Sequence, residues 1–221
     1  MRSRVLSGFA RPEMRISSIQ QGLIVQFEFA KYLMMGSGGR LELNPPMTDD
    51  DRRDAEIHER GKFGFALATQ IKSAMQLHRM SASARYLYIL FDVAADRLVS
   101  SPFFYYLLAY LNPKTMRLAD PTYVIPSEDF HRLAAPRLRN EAWHFTMAAS
   151  MELEAHDKWH MYRVNTLDLG QHVLGITRGL ARNHKGIVLP SEIVRSPGVY
   201  WVRPTTHEWQ RSAQQRARLS P

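Results

Sequence analysis

The chain has no cysteine, and that absence removes disulfides, thiolate zinc sites and cysteine nucleophiles together. It fits a reducing compartment, and the expected location is cytoplasmic. No apolar run approaches the roughly 18 residues of a membrane helix, so no membrane role is expected. The N-terminal stretch MRSRVLSG is basic but lacks the apolar core of about 7 residues that a secretory signal needs. A glycine-rich phosphate loop is also missing. Gly36-Ser37-Gly38-Gly39 follows a helical pattern rather than a strand and lacks the Gly-Lys-Ser/Thr ending. No Gly-x-Ser-x-Gly elbow occurs, which sets serine hydrolases aside along with ATPases. Acid is in short supply: 21 Asp+Glu against 29 Lys+Arg leave a net charge of +8, a surplus that favours polyanionic partners.

What is present suits one folded unit with flanking segments. With 221 residues, 45% of them hydrophobic and 23% charged, the chain can bury a core and is not broadly disordered. Residues 1–16 read as a basic arm, 17–185 as an α/β domain and 186–221 as a basic C-terminal extension. Beyond Ile176 stand eight basic residues against Glu192 and Glu208, which is +6 of the chain's +8. Tyr200, Trp201 and Trp209 are interleaved there, as in surfaces that grip phosphate and stack bases.

The periodicities give an order of elements. Ser17 and Ser18 can cap a helix, and Leu23, Phe27, Ala30 and Met34 recur after Ile19 as a stripe of about four turns. Strand patterns follow at 40–44, 54–58 and 63–72. In the last, Phe63, Phe65, Leu67 and Ile71 share one face, while Gly64, Ala66, Ala68, Gln70 and Lys72 share the other. The runs at 85–93 and 103–111 are apolar enough for strands buried on both faces. Residues 122–125 form a short strand closed by Pro126, and Ser127-Glu128-Asp129 opens a helix. Residues 143–149 and 159–164 are further strand candidates, and 167–182 a helix. His156-Asp157-Lys158-Trp159-His160 has metal-binding residue types, but a lysine at its centre argues against zinc. Asp129 and His131 read as capping and surface residues.

One constellation carries chemistry. Glu28 lies on the first helix, Asp54 opens the second strand, and Gln70-Ile71-Lys72 ends the third. Asp54 offers a carboxylate, Gln70 a side-chain carbonyl and Ile71 a backbone carbonyl, which is a hard-oxygen set suited to Mg²⁺ or Mn²⁺. Lys72, two residues from Gln70, projects to the same face and can stabilise charge on a phosphorane-like transition state.

On these residues the stretch resembles the PD-(D/E)xK, or restriction-endonuclease-like, nuclease superfamily in its Gln-x-Lys variant, over about residues 17–72. The resemblance implies an α/β fold with a mixed sheet flanked by helices. It further implies a metal-dependent nuclease, with Asp54, Gln70 and Ile71 as metal ligands, Lys72 as the catalytic lysine and Glu28 as an accessory acid. DNA is then the expected substrate ahead of RNA, in defence or mobile-element biology, with Arg203, Arg211, Arg216 and Arg218 contacting nucleic acid. Such domains pair as homodimers or join multi-protein complexes. Gln70 stands where the superfamily more often has Glu or Asp, so a catalytically inactive nucleic-acid-binding or assembly subunit is the alternative.

Overall fold

A computed structural model describes residues 16–45, 53–62, 65–79 and 84–183, together with the backbone of 200–202 and 209–211. The first helix, α1 (Ser18–Gly36), opens on a reciprocal cap in which the Ser17 hydroxyl accepts from the Gln20 N–H and the Gln20 side chain accepts from the Ser17 N–H. It stops at Gly38 and Gly39, whose φ values of 65° and 73° reverse the chain at no cost to a Cβ. Strands β1 (Leu41–Asn44), β2 (Ala55–Glu59) and β3 (Leu67–Ala74) then pair antiparallel in sequence. After a short β4 (Leu77–Arg79) come β5 (Arg85–Ala94), β6 (Phe104–Asn112), β7 (Arg117–Pro126) and α2 (Ser127–Ala134). The chain continues through β8 (Arg137–Arg139), β9 (Ala142–Ser150), β10 (Arg163–Val164) and α3 (Leu169–Asn183). Strands β11 (Tyr200–Val202) and β12 (Trp209–Arg211) form a separate two-stranded pair.

The result is the mixed α/β class expected from the sequence, with a second sheet that the sequence did not suggest. Six strands in the order β1-β2-β3-β6-β7-β10 make a mixed sheet in which only β3 and β6 run parallel. Strands β4-β5-β9-β8 make an antiparallel sheet. Side-chain alternation on β3 and β6 places the mixed sheet between two cores. Leu67 and Ile71, with Tyr105, Leu107, Ala109 and Leu111, pack toward α1 and α3. Phe104, Tyr106 and Leu108 pack the other way, against the antiparallel sheet, Phe130 of α2 and Trp159. Strand β6 is therefore buried on both faces, as its sequence implies. Strand β5 is not: Leu87, Ile89 and Val93 are buried, but Leu90 and Asp92 stand out on the wet side of the second sheet. The 159–164 candidate is mostly a 3-10 turn, with only Arg163–Val164 extended.

Two contacts fix α3. A Cβ added at Gly170 would lie 2.3 Å from the Ser37 nitrogen, so glycine alone lets the two helices meet at that crossing. Arg178 forks onto both carboxylate oxygens of Glu59 in β2, and with Lys62 it holds that carboxyl down at about 2.

His131 is not the surface residue its sequence position suggested. It shares a hydrogen bond of 2.9 Å with the Tyr106 hydroxyl, lies 5.1 Å from the Phe145 ring, and has a buried Nδ1 without a partner among the described residues. Burial pushes its pKa down to about 4. Between that value and the ordinary 6.5, only the unfolded chain takes up the proton, so stability falls as pH drops through this window. Urea unfolding at pH 7 and pH 5 is expected to show a loss of about 1–2 kcal/mol that His131→Gln reduces. An identical pH dependence in the variant would exclude this residue as its source.

Candidate active site

The site is built at the edge of β3. Asp54 stands just ahead of β2, and its backbone N–H donates to the Thr69 carbonyl at 2.8 Å. Its side chain then reaches along β3, where Oδ2 accepts the Ile71 N–H at 2.6 Å. That bond occupies the place β2 would have filled had it continued, and it fixes the carboxylate level with residue 71. A strand residue directs its N–H and C=O to the same side. The Ile71 carbonyl accordingly points to the edge that Asp54 occupies, while its side chain is buried under the helices. Gln70 and Lys72 flank it on the opposite face of the sheet.

Asp54, Gln70 and Lys72 line one open cleft of about 700 Å³. Gln70 is only 4% exposed, and no hydrogen bond within the described residues engages its side-chain amide. The amide is not a buried orphan; it opens on the cleft, where water or a ligand can meet it. Lys72 is half-buried and makes no ion pair among the described residues.

The far wall comes from the second sheet, and sequence reasoning missed it. Asp92, near the end of β5, pairs with His144 at 2.6 Å, and Asp96 and Arg97 follow in a 3-10 turn. Asn140 and Glu141 complete the wall as the two-residue turn between β8 and β9, with φ of 47° and 60°. Two consecutive left-handed residues match the right-handed twist of a hairpin, at a cost of about 1–2 kcal/mol for a glutamate. The Glu141 carbonyl accepts the Ala95 N–H at 2.8 Å, which braces the turn against the end of β5. Asp92 could have been noticed as the one acid in an otherwise apolar run, a sign that the strand has a wet face. The turn carries no comparable signal.

The cleft is acidic within a basic chain. Four carboxylates (Asp54, Asp92, Asp96 and Glu141) line it together with Lys72 and Arg97. Such a field concentrates cations. Among the described residues no three His, Cys, Asp or Glu side chains come close enough to hold a metal ion by themselves. A divalent cation beside Asp54 therefore depends on neutral oxygen from Gln70, the Ile71 carbonyl and water. The donor types fit Mg²⁺ or Mn²⁺, with a single negative protein ligand at that position.

Glu28 is not brought to this cleft, which corrects its expected role as accessory acid. Val25, Phe29 and Leu33 turn α1 onto the other face of the sheet. There Glu28 pairs with Lys31 and accepts the Leu118 N–H of β7 at 3.4 Å. Arg203, Arg216 and Arg218 lie outside the described residues, as does the side chain of Arg211. Asp157 has a structural role, accepting the Ser150 and Trp159 N–H groups and pairing with Arg163.

No protein-family model and no curated protein matches the chain. Among solved structures, that of a bacterial homing endonuclease is similar at 15% identity and a TM-score of 0.45, over 76% of this chain and 99% of that one.

If Gln70 is kept for a ligand rather than for the fold, replacing it should not weaken the protein. Gln70→Leu is expected to unfold at the same or higher urea concentration, since it removes an amide that makes no hydrogen bond to the fold among the described residues. Asp54→Ala is expected to lose about 1 kcal/mol by stripping the Ile71 N–H of its acceptor. A Gln70→Leu loss larger than that of Asp54→Ala would mean that the amide serves the fold.

Proposed function

We propose that the cleft is the active site of a divalent-cation-dependent nuclease that hydrolyses phosphodiester bonds of DNA. The observation that carries this reading is convergence: Asp54, Gln70 and Lys72 come from two separate points in the chain and line a single cleft. Asp54, Gln70 and the Ile71 carbonyl are the groups that would hold Mg²⁺ or Mn²⁺. When bound, such a cation supplies Lewis-acid stabilisation of charge on a phosphate oxygen.

The protein's own groups do the rest. The Ile71 N–H holds the Asp54 carboxylate in one orientation, so little reorganisation remains when substrate arrives. The Lys72 ammonium, one strand repeat from Gln70, stabilises the negative charge that builds on the phosphorus-bound oxygens. Asp92, Asp96 and Glu141 disfavour a bare phosphate along most of the far wall, where Arg97 is the cation, which leaves the Lys72 side for the sugar–phosphate backbone. The basic residues beyond Ile176, with Arg203, Arg211, Arg216 and Arg218 among them, fit a role in holding the backbone outside the cleft. Defence or mobile-element biology would give such an enzyme its setting.

A second reading rests on the same glutamine. With an amide where a carboxylate would add a second negative ligand, the scaffold fits an inactive DNA-binding or assembly subunit. Plasmid nicking separates the two. The nuclease reading expects cleavage with Mg²⁺ or Mn²⁺ that EDTA stops, and a drop of about 10²-fold or more in Lys72→Ala and Asp54→Ala. DNA retention should persist in Lys72→Ala and weaken with salt. Undiminished cleavage by both variants would remove the site assignment, and salt-sensitive binding without any cleavage would leave the inactive scaffold.

A further inference from the structure

The helix α1 carries two apolar arcs, separated on one side by polar residues that include Gln20, Gln21, Glu28 and Lys31. Its buried arc is Val25, Phe29 and Leu33. The stripe that stands out in the sequence lies on the other side, with Ile19 76%, Leu23 50%, Phe27 73%, Met34 44% and Met35 74% exposed. At about 100° per residue, Ile19, Leu23, Phe27, Ala30 and Met34 fall within an arc of about 80°. Lys31 is the one charge bordering that arc, and its ammonium is paired with Glu28. A helix apolar on both faces belongs between two partners, and the sheet supplies only one. The exposed side chains amount to several hundred Å², roughly what one protomer contributes to a small specific dimer.

We propose that this outward face of α1 is a two-fold interface with a second copy of the chain. The stripe is nearly palindromic. Phe27 is the midpoint of Ser18–Gly36, so an axis through it sets two α1 helices antiparallel with Phe27 against Phe27. Leu23 then lies level with the partner's Lys31 and beside the partner's Ala30, and Ile19 lies level with the partner's Met35 and beside the partner's Met34. Self-matching of this kind is what an isologous contact requires. The 19-residue helix supplies about 28 Å of contact, and i, i+4 ridges on both copies can interdigitate. This face is close to neutral, because the Lys31 that borders it is paired with Glu28, so like-charge repulsion does not oppose the contact. The proposal does not use the cleft, so it stands or fails apart from the nuclease reading.

Light scattering of the full chain at micromolar concentration is expected to give twice the 25.5 kDa monomer mass. Phe27→Glu is expected to give the monomer mass with an unchanged circular dichroism spectrum. Because the chain has no cysteine, Phe27→Cys isolates the axis. Oxidation should link it into a covalent dimer, whereas Leu138→Cys, 53% exposed on the second sheet, should stay monomeric on a denaturing gel. A monomeric wild type, as when another segment of the same chain covers the stripe, overturns the proposal. So does a dimer that survives Phe27→Glu, or a Phe27→Cys variant that does not cross-link.

Discussion

The strand β3 is the constraint on which the rest of the structure depends. Its side chains alternate between two cores, and Leu67 and Ile71 hold it under the helices while Ala68 and Ala74 lie beneath the second sheet. With both faces committed, the register cannot slip by one residue without exchanging Ile71 for Gln70 or Lys72 in an apolar core. The parallel pairing with β6, seven residues long, fixes the same register from its other edge. The two polar side chains near its end are thus set in position by apolar burial elsewhere. The Asp54 carboxylate is locked to the same strand by the Ile71 N–H.

A site held this way is rigid, and it carries features that the fold does not require. The Gln70 amide opens on the cleft with no hydrogen bond to the described residues, Glu141 adopts a left-handed conformation, and four carboxylates share one cleft. The last two are unfavourable for folding alone, and the first adds nothing to it. Their coincidence in one place is how functional sites differ from the rest of a structure, where local preferences agree with the fold.

The legibility of the sequence follows from range. Asp54, Gln70 and Lys72 could be found because spacing of two along a strand sets a common face regardless of what lies beyond it. The cap at Ser17 and the stop at Gly38-Gly39 are equally local. Glu28 could not be placed, because periodicity shows that α1 is helical but not which of its two apolar arcs meets the sheet. The more regular stripe, Ile19 to Met34, is the exposed one. The far wall was hidden for a different reason. Asp92, Asp96 and Glu141 reach the cleft only because a second sheet folds over β3, and its strands β4 and β8 have three residues each, too short to leave a pattern. Burial of His131 likewise depends on Tyr106 and Phe145 arriving from distant strands.

The central claim is that Asp54 and the Gln70 amide hold one divalent cation, and crystals soaked in Mn²⁺ test it most directly. The account predicts an anomalous peak within about 2.5 Å of both the Asp54 carboxylate and the Gln70 Oε1, and its loss in Asp54→Ala. Manganese bound instead among Asp92, Asp96 and Glu141, or absent from the cleft at saturating concentration, would contradict it.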